Sequence, residues 1–251
     1  MLVFLSFTLL YSGLVSSADY GPKNIFLLAG QSNMAGRGGV SGNKWDGKVP
    51  PACQPNPSIL RLNAGLQWEE AHDPLHIDID VGKACGVGPG MPFANKILSR
   101  IGLVGLVPCA IGGTKIREWT RGTGHYNDLV ARANASLKEG GLIQALLWYQ
   151  GESDTVKRED AYSYKGKMEK FIQDLRADLH SLSLPVIQVA LASGEGPFVE
   201  VVREAQRGIN LPNVTYVNAK GLNLKEDNLH LTTTSQVRLG QMLGHSFLNK
   251  L

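Results

Sequence analysis

The stretch Asn24-Ile25-Phe26-Leu27-Leu28-Ala29-Gly30-Gln31-Ser32-Asn33-Met34 decides the fold of this 251-residue chain. An apolar run that ends in Gly-Gln-Ser reads as a strand covered on both faces, and such strands belong to parallel sheets flanked by helices. A serine where that strand turns into a helix stands at the sheet's carboxyl end, where ligands of open α/β sheets gather. Ser32 is therefore a candidate nucleophile, beside the ordinary use of a turn serine as a cap.

Working outward, strand-like apolar runs recur at 103–109, 143–149, 185–192 and 214–218. Segments with helical spacing lie at 91–100, 126–139, 160–180, 198–209 and 232–249. This alternation predicts a three-layer α/β/α sandwich on a mostly parallel sheet of about five strands. The length suits one domain over 19–251. Between Gly36 and Gly90 the pattern breaks into a Gly/Pro-rich stretch, too long for an ordinary connection and expected to be a functional loop over the sheet's edge or mouth.

Residues 2–15 are almost wholly apolar and are followed by Ser16-Ser17-Ala18, which resembles a secretory signal cleaved after Ala18, although no Lys or Arg follows Met1; a non-cleaved N-terminal strand or anchor is the alternative. The expected location is outside the cell, the cell wall included. That apolar core is too short to span a bilayer, and no later segment reads as transmembrane, so no membrane partner is expected after cleavage. The 25 basic and 22 acidic residues create no strong field, which argues against a nucleic-acid partner. Of three cysteines, Cys53 and Cys85 lie in loop sequence and are candidates for a disulfide, while Cys109 ends an apolar strand and is expected as a buried thiol. Asn134 and Asn213 head glycosylation sequons. Nothing in the sequence sets an oligomeric state.

Reactive side chains follow the predicted strands. Ser32 follows the first, Gly112-Gly113 the second, and Gln150-Gly151-Glu152-Ser153-Asp154 the third, while Asp227-Asn228-Leu229-His230 precedes the last helix. Strands of a parallel sheet point one way, so these residues share one rim. An alcohol needs a general base, and His230 has the right basicity. Asp227, three residues earlier, could orient the imidazole and fix its tautomer, or else cap the helix, a duty that Thr232 or Thr233 could take over. Attack on a carbonyl creates an oxyanion, for which the N–H groups of Ser32 and Gly112 and the side-chain amide of Gln150 are candidate donors; a buried structural amide is the alternative for Gln150.

The blocks Gly-Gln-Ser-Asn-Met (30–34), Pro-Cys-Ala-Ile-Gly-Gly-Thr (108–114), Trp-Tyr-Gln-Gly-Glu-Ser-Asp (148–154) and Asp-Asn-Leu-His-Leu-Thr (227–232) resemble those of the SGNH hydrolase superfamily, which has a flavodoxin-like sheet. Within it they are most similar to the plant-type carbohydrate esterases of family six and, more distantly, to sialate O-acetylesterases. The resemblance implies a serine esterase that removes acyl groups, above all acetyl, from a carbohydrate without metal or organic cofactor. It implies Ser32 as nucleophile, His230 as base, Asp227 as its orienter, and Gly112, ahead of Gly113, as an oxyanion donor. The superfamily at large has Asp and Asn where this chain has Gln31 and Gln150. Glu152 is read as a brace of the third block, with a catalytic carboxylate as the alternative.

Two other function classes compete. A silent carbohydrate-binding protein of the same fold would keep the sheet without turnover. A metal-dependent hydrolase would use His72 and His76 within His72-Asp73-Pro74-Leu75-His76-Ile77-Asp78-Ile79-Asp80, although Pro74 prevents a helical pairing of the two imidazoles and a polar loop at the substrate mouth is the plainer reading. Gly86-Val87-Gly88-Pro89-Gly90 lacks the strand and the Lys-Ser/Thr pair of a phosphate loop and reads as a turn into the following helix. Arg117 and Trp119 are candidate sugar contacts, with an ion-paired Arg and a half-buried Trp as their structural alternatives.

Overall fold

The computed structural model describes residues 22–250, so the leader at 1–18 lies outside the described residues. The strands are β1 (Asn24–Gly30), β2 (Val40–Ser41), β3 (Lys44–Trp45), β4 (Ile59–Leu62), β5 (Trp68–Glu70), β6 (Val104–Pro108), β7 (Leu142–Tyr149), β8 (Val186–Ala190) and β9 (Val214–Asn218). The helices are α1 (Ser32–Ala35), α2 (Gly90–Ile101), α3 (Gly124–Ser136), α4 (Arg158–Asp178), α5 (Val199–Arg207) and α6 (Thr233–Leu248). A seven-stranded sheet runs β5-β4-β6-β1-β7-β8-β9, parallel throughout except for the edge strand β5. The five predicted strands take the flavodoxin-like order second, first, third, fourth, fifth, with the chain reversing its direction of winding at β1.

Both faces are covered, which is why the strands are nearly unbroken in apolar residues. Phe26 on one face of β1 meets Phe93 of α2 and Phe247 of α6 edge-on, with ring centroids 4.9 and 5.0 Å apart. On the opposite face Trp148 of β7 packs against Phe171 of α4 and Trp119, at 4.6 and 5.3 Å. Burying side chains of this size contributes about 1.5–3 kcal/mol each, so the two aromatic clusters fasten a helical layer to each face.

The sheet has two more strands than expected, both from the stretch read as irregular. Strand β4 continues the parallel sheet beside β6, and β5 closes its edge. Arg61 interrupts the apolar pattern of Ile59-Leu60-Arg61-Leu62 yet is buried, because its guanidinium donates to Leu75 O and Asp78 at 2.8 Å and to Glu69 at 2.7 Å. Of the rest of that stretch, the β2–β3 hairpin with Arg37, Lys83 and Ala84 stands at the mouth and walls the cleft described below, while the carbonyls of Ala52 and Gln54 accept from Asn95 of α2.

Gly30 is the pivot on which the site depends. Its φ is +128°, and a Cβ there would stand 2.1 Å from Tyr149 O. Only glycine lets β1 leave the sheet in this direction while Gln31 N–H still donates to Tyr149 O at 2.8 Å. On the other side, Cys109 N–H donates to Leu28 O and Ile111 N–H to Gly30 O, at 2.8 and 3.0 Å. These bonds bring the ends of β6, β1 and β7 into one rim.

Candidate active site

Ser32, the first residue of α1, is 5% exposed and its Oγ lies 2.9 Å from His230 Nε2. His230 Nδ1 lies 2.8 Å from Asp227 Oδ2. The three-residue spacing is that of a side-chain turn: Asp227 Oδ1 accepts the N–H groups of Leu229 and His230 at 3.0 and 2.8 Å, leaving Oδ2 aimed at the ring. Thr232 caps α6, its Oγ1 accepting Ser235 N–H at 3.2 Å, so Asp227 has no capping duty. A carboxylate facing Nδ1 places the ring proton there and leaves the Nε2 lone pair toward Ser32.

The charge states agree with this tautomer. Burial alone would raise the Asp227 carboxyl, but hydrogen bonds from His230 and Leu229 outweigh it and hold the group down at about 2. Burial pushes His230 below its ordinary value, with Asp227 pulling part of the way back. Near neutral pH the pair is an ionised carboxylate and a neutral imidazole.

Asn33 joins this pair to the rest of the rim. Its Oδ1 accepts Leu231 N–H at 2.9 Å, and its Nδ2 donates to Leu229 O at 3.3 Å and to Glu152 Oε1 at 2.8 Å. The residue beside Ser32 thus grips the chain on both sides of His230. Glu152 is fully buried behind it, as a brace and not as a group facing the cleft. Burial holds its carboxyl up at about 7, against the lowering effect of Asn33. A folded value above the ordinary 4.5 means that the native state binds this proton more tightly, so the contribution of Glu152 to stability falls as pH rises from about 4.5 to 7. Glu152→Gln removes that dependence. Urea unfolding of parent and variant is expected to differ by about 3 kcal/mol more in the variant's favour at pH 8 than at pH 4.

Gln150 does not take the expected oxyanion position. It is fully buried, and its Nε2 donates to Asp154 Oδ2 at 2.6 Å and to Thr114 O at 2.8 Å, with Gln31 Oε1 at 3.2 Å. With two hydrogens and these acceptors, it has none to offer a reacting carbonyl, and it serves as a structural amide joining the second and third blocks. Gln31 completes that junction, its Oε1 also accepting Gly151 N–H at 3.2 Å. The N–H groups of Ser32 and Gly112, in contrast, have no protein acceptor among the described residues. A Cβ on Gly112 would lie 3.6 Å from Ser32 Cβ, which places this backbone against the serine.

Ser32, His230, Gly112 and Gly113 line a 190 Å³ cavity together with Arg37, Lys83, Glu195 and Leu229. It adjoins a wider cleft of about 580 Å³, with Arg37, Lys83 and His230 lining both and the β2–β3 hairpin, Lys225 and Asp227 completing the second. Arg37 forms a buried ion pair with Asp80 directly beneath Gly112 and donates to Gly36 O at 2.9 Å. Sequence reasoning missed Arg37, Lys83 and Glu195, since single charged residues in loops carry no pattern.

Several expected contacts lie elsewhere. Arg117 points to solvent 3.8 Å from Asp160, away from the Ser32 cavity. Trp119 is fully buried in the core, its Nε1 donating to Thr114 Oγ1 at 3.0 Å. The acid-rich segment divides instead of collecting a metal: His76 is buried with its value pushed down to about 3, Asp78 pairs with Arg61, and Asp80 pairs with Arg37, while His72 is exposed. Among the described residues no group of three or more His, Cys, Asp or Glu side chains is placed to hold a metal. Cys53 and Cys85 are unpaired thiols, the first beside the Asp73 carboxyl and the second 3.4 Å from Arg37 Nη1, and Cys109 is the buried thiol expected.

The reversal of winding at β1, with Ser32, His230 and Asp227 hydrogen-bonded in series at its carboxyl end, agrees with the resemblance of the four blocks to SGNH hydrolases. Residues 22–249 match the family described as carbohydrate esterase, sialic acid-specific acetylesterase. A relative from Arabidopsis thaliana named "Probable carbohydrate esterase At4g34215" is 57% identical over 238 residues, 91% of each chain. The crystal structure of the Arabidopsis thaliana protein AT4G34215 superposes with a TM-score of 0.89 at 57% identity, over 91% of this chain and 99% of that one. NanS shares the fold at 16% identity and a TM-score of 0.69, over 92% of this chain and 98% of its own. So does a carbohydrate acetylesterase from Xanthomonas citri, XAC1771, at 20% identity and 0.64, over 88% of this chain and 55% of that one. The chain belongs to the carbohydrate esterase, sialic acid-specific acetylesterase family, and it is a carboxylic ester hydrolase acting on carbohydrates.

Proposed function

We propose that this protein removes O-acetyl groups from a carbohydrate by a serine mechanism with an acyl-enzyme intermediate. The series Ser32 Oγ, His230 Nε2, His230 Nδ1, Asp227 Oδ2, with contacts of 2.9 and 2.8 Å, carries the reading. His230 takes the Ser32 proton as Oγ attacks the ester carbonyl, and the negative charge passes to the carbonyl oxygen. The free N–H groups of Ser32 and Gly112 receive that oxyanion. Collapse of the adduct expels the sugar alkoxide, which takes the proton from His230 and leaves an acetyl ester on Ser32. Water then gives a proton to His230 and attacks, and acetate departs as Ser32 is reprotonated.

Asp227 holds the imidazole in the required tautomer and stabilises the imidazolium of each step without being protonated itself. The apolar leader supports export of the protein. The test is covalent: a fluorophosphonate probe is expected to add one phosphonyl group, mapped by peptide mass spectrometry to Ser32. No label, or label confined to other residues, counts against the serine mechanism and favours a silent binding protein.

A further inference from the structure

The loop that follows β8 holds an acidic side chain at the mouth of the Ser32 cavity, and neither the triad nor the oxyanion donors use it. Glu195 lines the same 190 Å³ cavity as Ser32 and His230. One carboxylate oxygen accepts Ser153 Oγ–H at 2.7 Å, which orients the group. The other has no protein donor among the described residues, and the side chain is exposed. An exposed carboxylate on a loose loop would mean little, but this loop is fastened to the third block. Glu195 N–H donates to Glu152 O at 3.1 Å, Gly196 N–H to Thr155 Oγ1 at 2.9 Å, and Phe198 N–H to Thr155 O at 3.0 Å. The glycines on either side allow that approach: a Cβ on Gly194 would lie 2.7 Å from Thr155 Oγ1, and one on Gly196 2.6 Å from Thr155 O. Ser193 Oγ in turn donates to Leu229 O at 2.5 Å, so the loop is also tied to the chain next to His230.

We infer that Glu195 is a specificity-determining residue whose free oxygen accepts a hydrogen bond from an unesterified hydroxyl near the scissile ester, so that the cleft selects partly acetylated over fully acetylated sugars. The inference rests on the esterase reading above. An ionised carboxylate only accepts hydrogen bonds, and the donors that a sugar offers are its free hydroxyls. An acetyl group on the neighbouring oxygen removes the donor and adds bulk where the carboxylate stands. Lys83 shares the cavity, and the charge of Arg37 is already met by Asp80, so a neutral hydroxyl is favoured over a cationic amine as the group that meets Glu195. Hydrogen bonds to charged acceptors are the stronger kind, and sites built to bond a substrate hydroxyl discriminate against analogues that lack it.

The test compares three classes of substrate for the parent chain and Glu195→Ala: 4-nitrophenyl acetate, which has no sugar, and monoacetylated and peracetylated methyl glycosides of xylose, galactose and glucose, with rates per ester bond. The parent is expected to cleave its best monoacetyl glycoside at least tenfold faster, in kcat/KM, than the matching peracetate. In Glu195→Ala that ratio is expected to fall to about threefold or less, through loss on the monoacetyl substrate, while the aryl acetate changes far less. Glu195→Gln, which keeps an acceptor oxygen, is expected to fall between. The inference is overturned if the parent cleaves aryl acetate but shows no preference for the monoacetyl sugar, or if Glu195→Ala keeps the preference. It is also overturned if all substrates lose equally in Glu195→Ala. A parent inert on every ester, the aryl acetate included, overturns the esterase reading itself.

Discussion

Ser32→Ala is expected to lower kcat on an aryl acetate by about 10⁴-fold or more while leaving KM within a few-fold of the parent. In the proposed mechanism the hydroxyl is the one group that forms a covalent bond to substrate. Without it, His230 can still activate a water and the N–H groups of Ser32 and Gly112 can still receive the oxyanion. That residual path is slow because the water must find its own position. The variant stays folded: the side chain is small, and the single bond lost, to His230 at 2.9 Å, is worth about 1 kcal/mol. His230→Ala is expected to cost nearly as much, and the double variant little more than either, because a nucleophile and its base act as one unit. Steady-state kinetics with a urea denaturation control reads all three. A Ser32→Ala protein within tenfold of the parent would sink the mechanism, and so would additive losses in the double variant.

The residues behind that prediction were legible because their chemistry follows strand ends. An apolar run followed by a glycine-containing polar block is a local pattern, and parallel packing brings three such blocks, with the block before the last helix, into one rim. The meeting of Ser32, His230 and Asp227 needed no more than that. What was not legible depends on where buried polar groups find partners. Gln150 stands at the end of β7, where a donor to an oxyanion is plausible, but the acceptors Asp154 and Thr114 lie closer. Sequence shows a donor and hides its competition. Strand β4 was hidden in the opposite sense: Arg61 interrupts its short apolar run, and the residue is buried because Leu75 O, Asp78 and Glu69 supply its partners. Trp119 and Arg117, two residues apart in one short turn, were read together and part ways, the first into the core and the second into solvent. No spacing rule separates them, because the separation is set by contacts with Trp148 and Asp160 that are distant in the chain.

Asn33 shows what the residue after Ser32 does. Its amide holds Leu229 O and Leu231 N–H while Glu152 holds the amide, so the loop carrying His230 is fixed from the turn carrying Ser32. The Ser32–His230 distance is thereby a property of one hydrogen-bonded unit, not of two loops that happen to meet. Gln31 plays the matching part toward the third block through Gly151 N–H and Gln150. The Gln-Ser-Asn triplet thus supplies Ser32 and the two joints that position it.

Asp227→Asn tests the orienter, with an expected kcat loss of about 10³ to 10⁴-fold. The size follows from the turn. Asp227 Oδ1 accepts the N–H groups of Leu229 and His230, so an Asn at this position keeps its carbonyl oxygen there and turns its NH₂ toward His230 Nδ1. Nδ1 must then be the acceptor and the ring proton moves to Nε2, facing Ser32. Nε2 in that tautomer cannot take the serine's proton, although every heavy atom is in place. A second readout separates this from simple disorder. In the parent, burial lowers the His230 value and Asp227 raises it part of the way back, so kcat/KM falls with decreasing pH on a limb below the ordinary histidine value of 6.5. Removing the carboxylate removes the raising effect, and the acid limb of the variant is expected still lower. A pH profile of kcat/KM from 4 to 9 on an aryl acetate measures both quantities. A large loss with the limb moved to higher pH, or a loss under tenfold, would show that Asp227 does not set the tautomer and charge of His230.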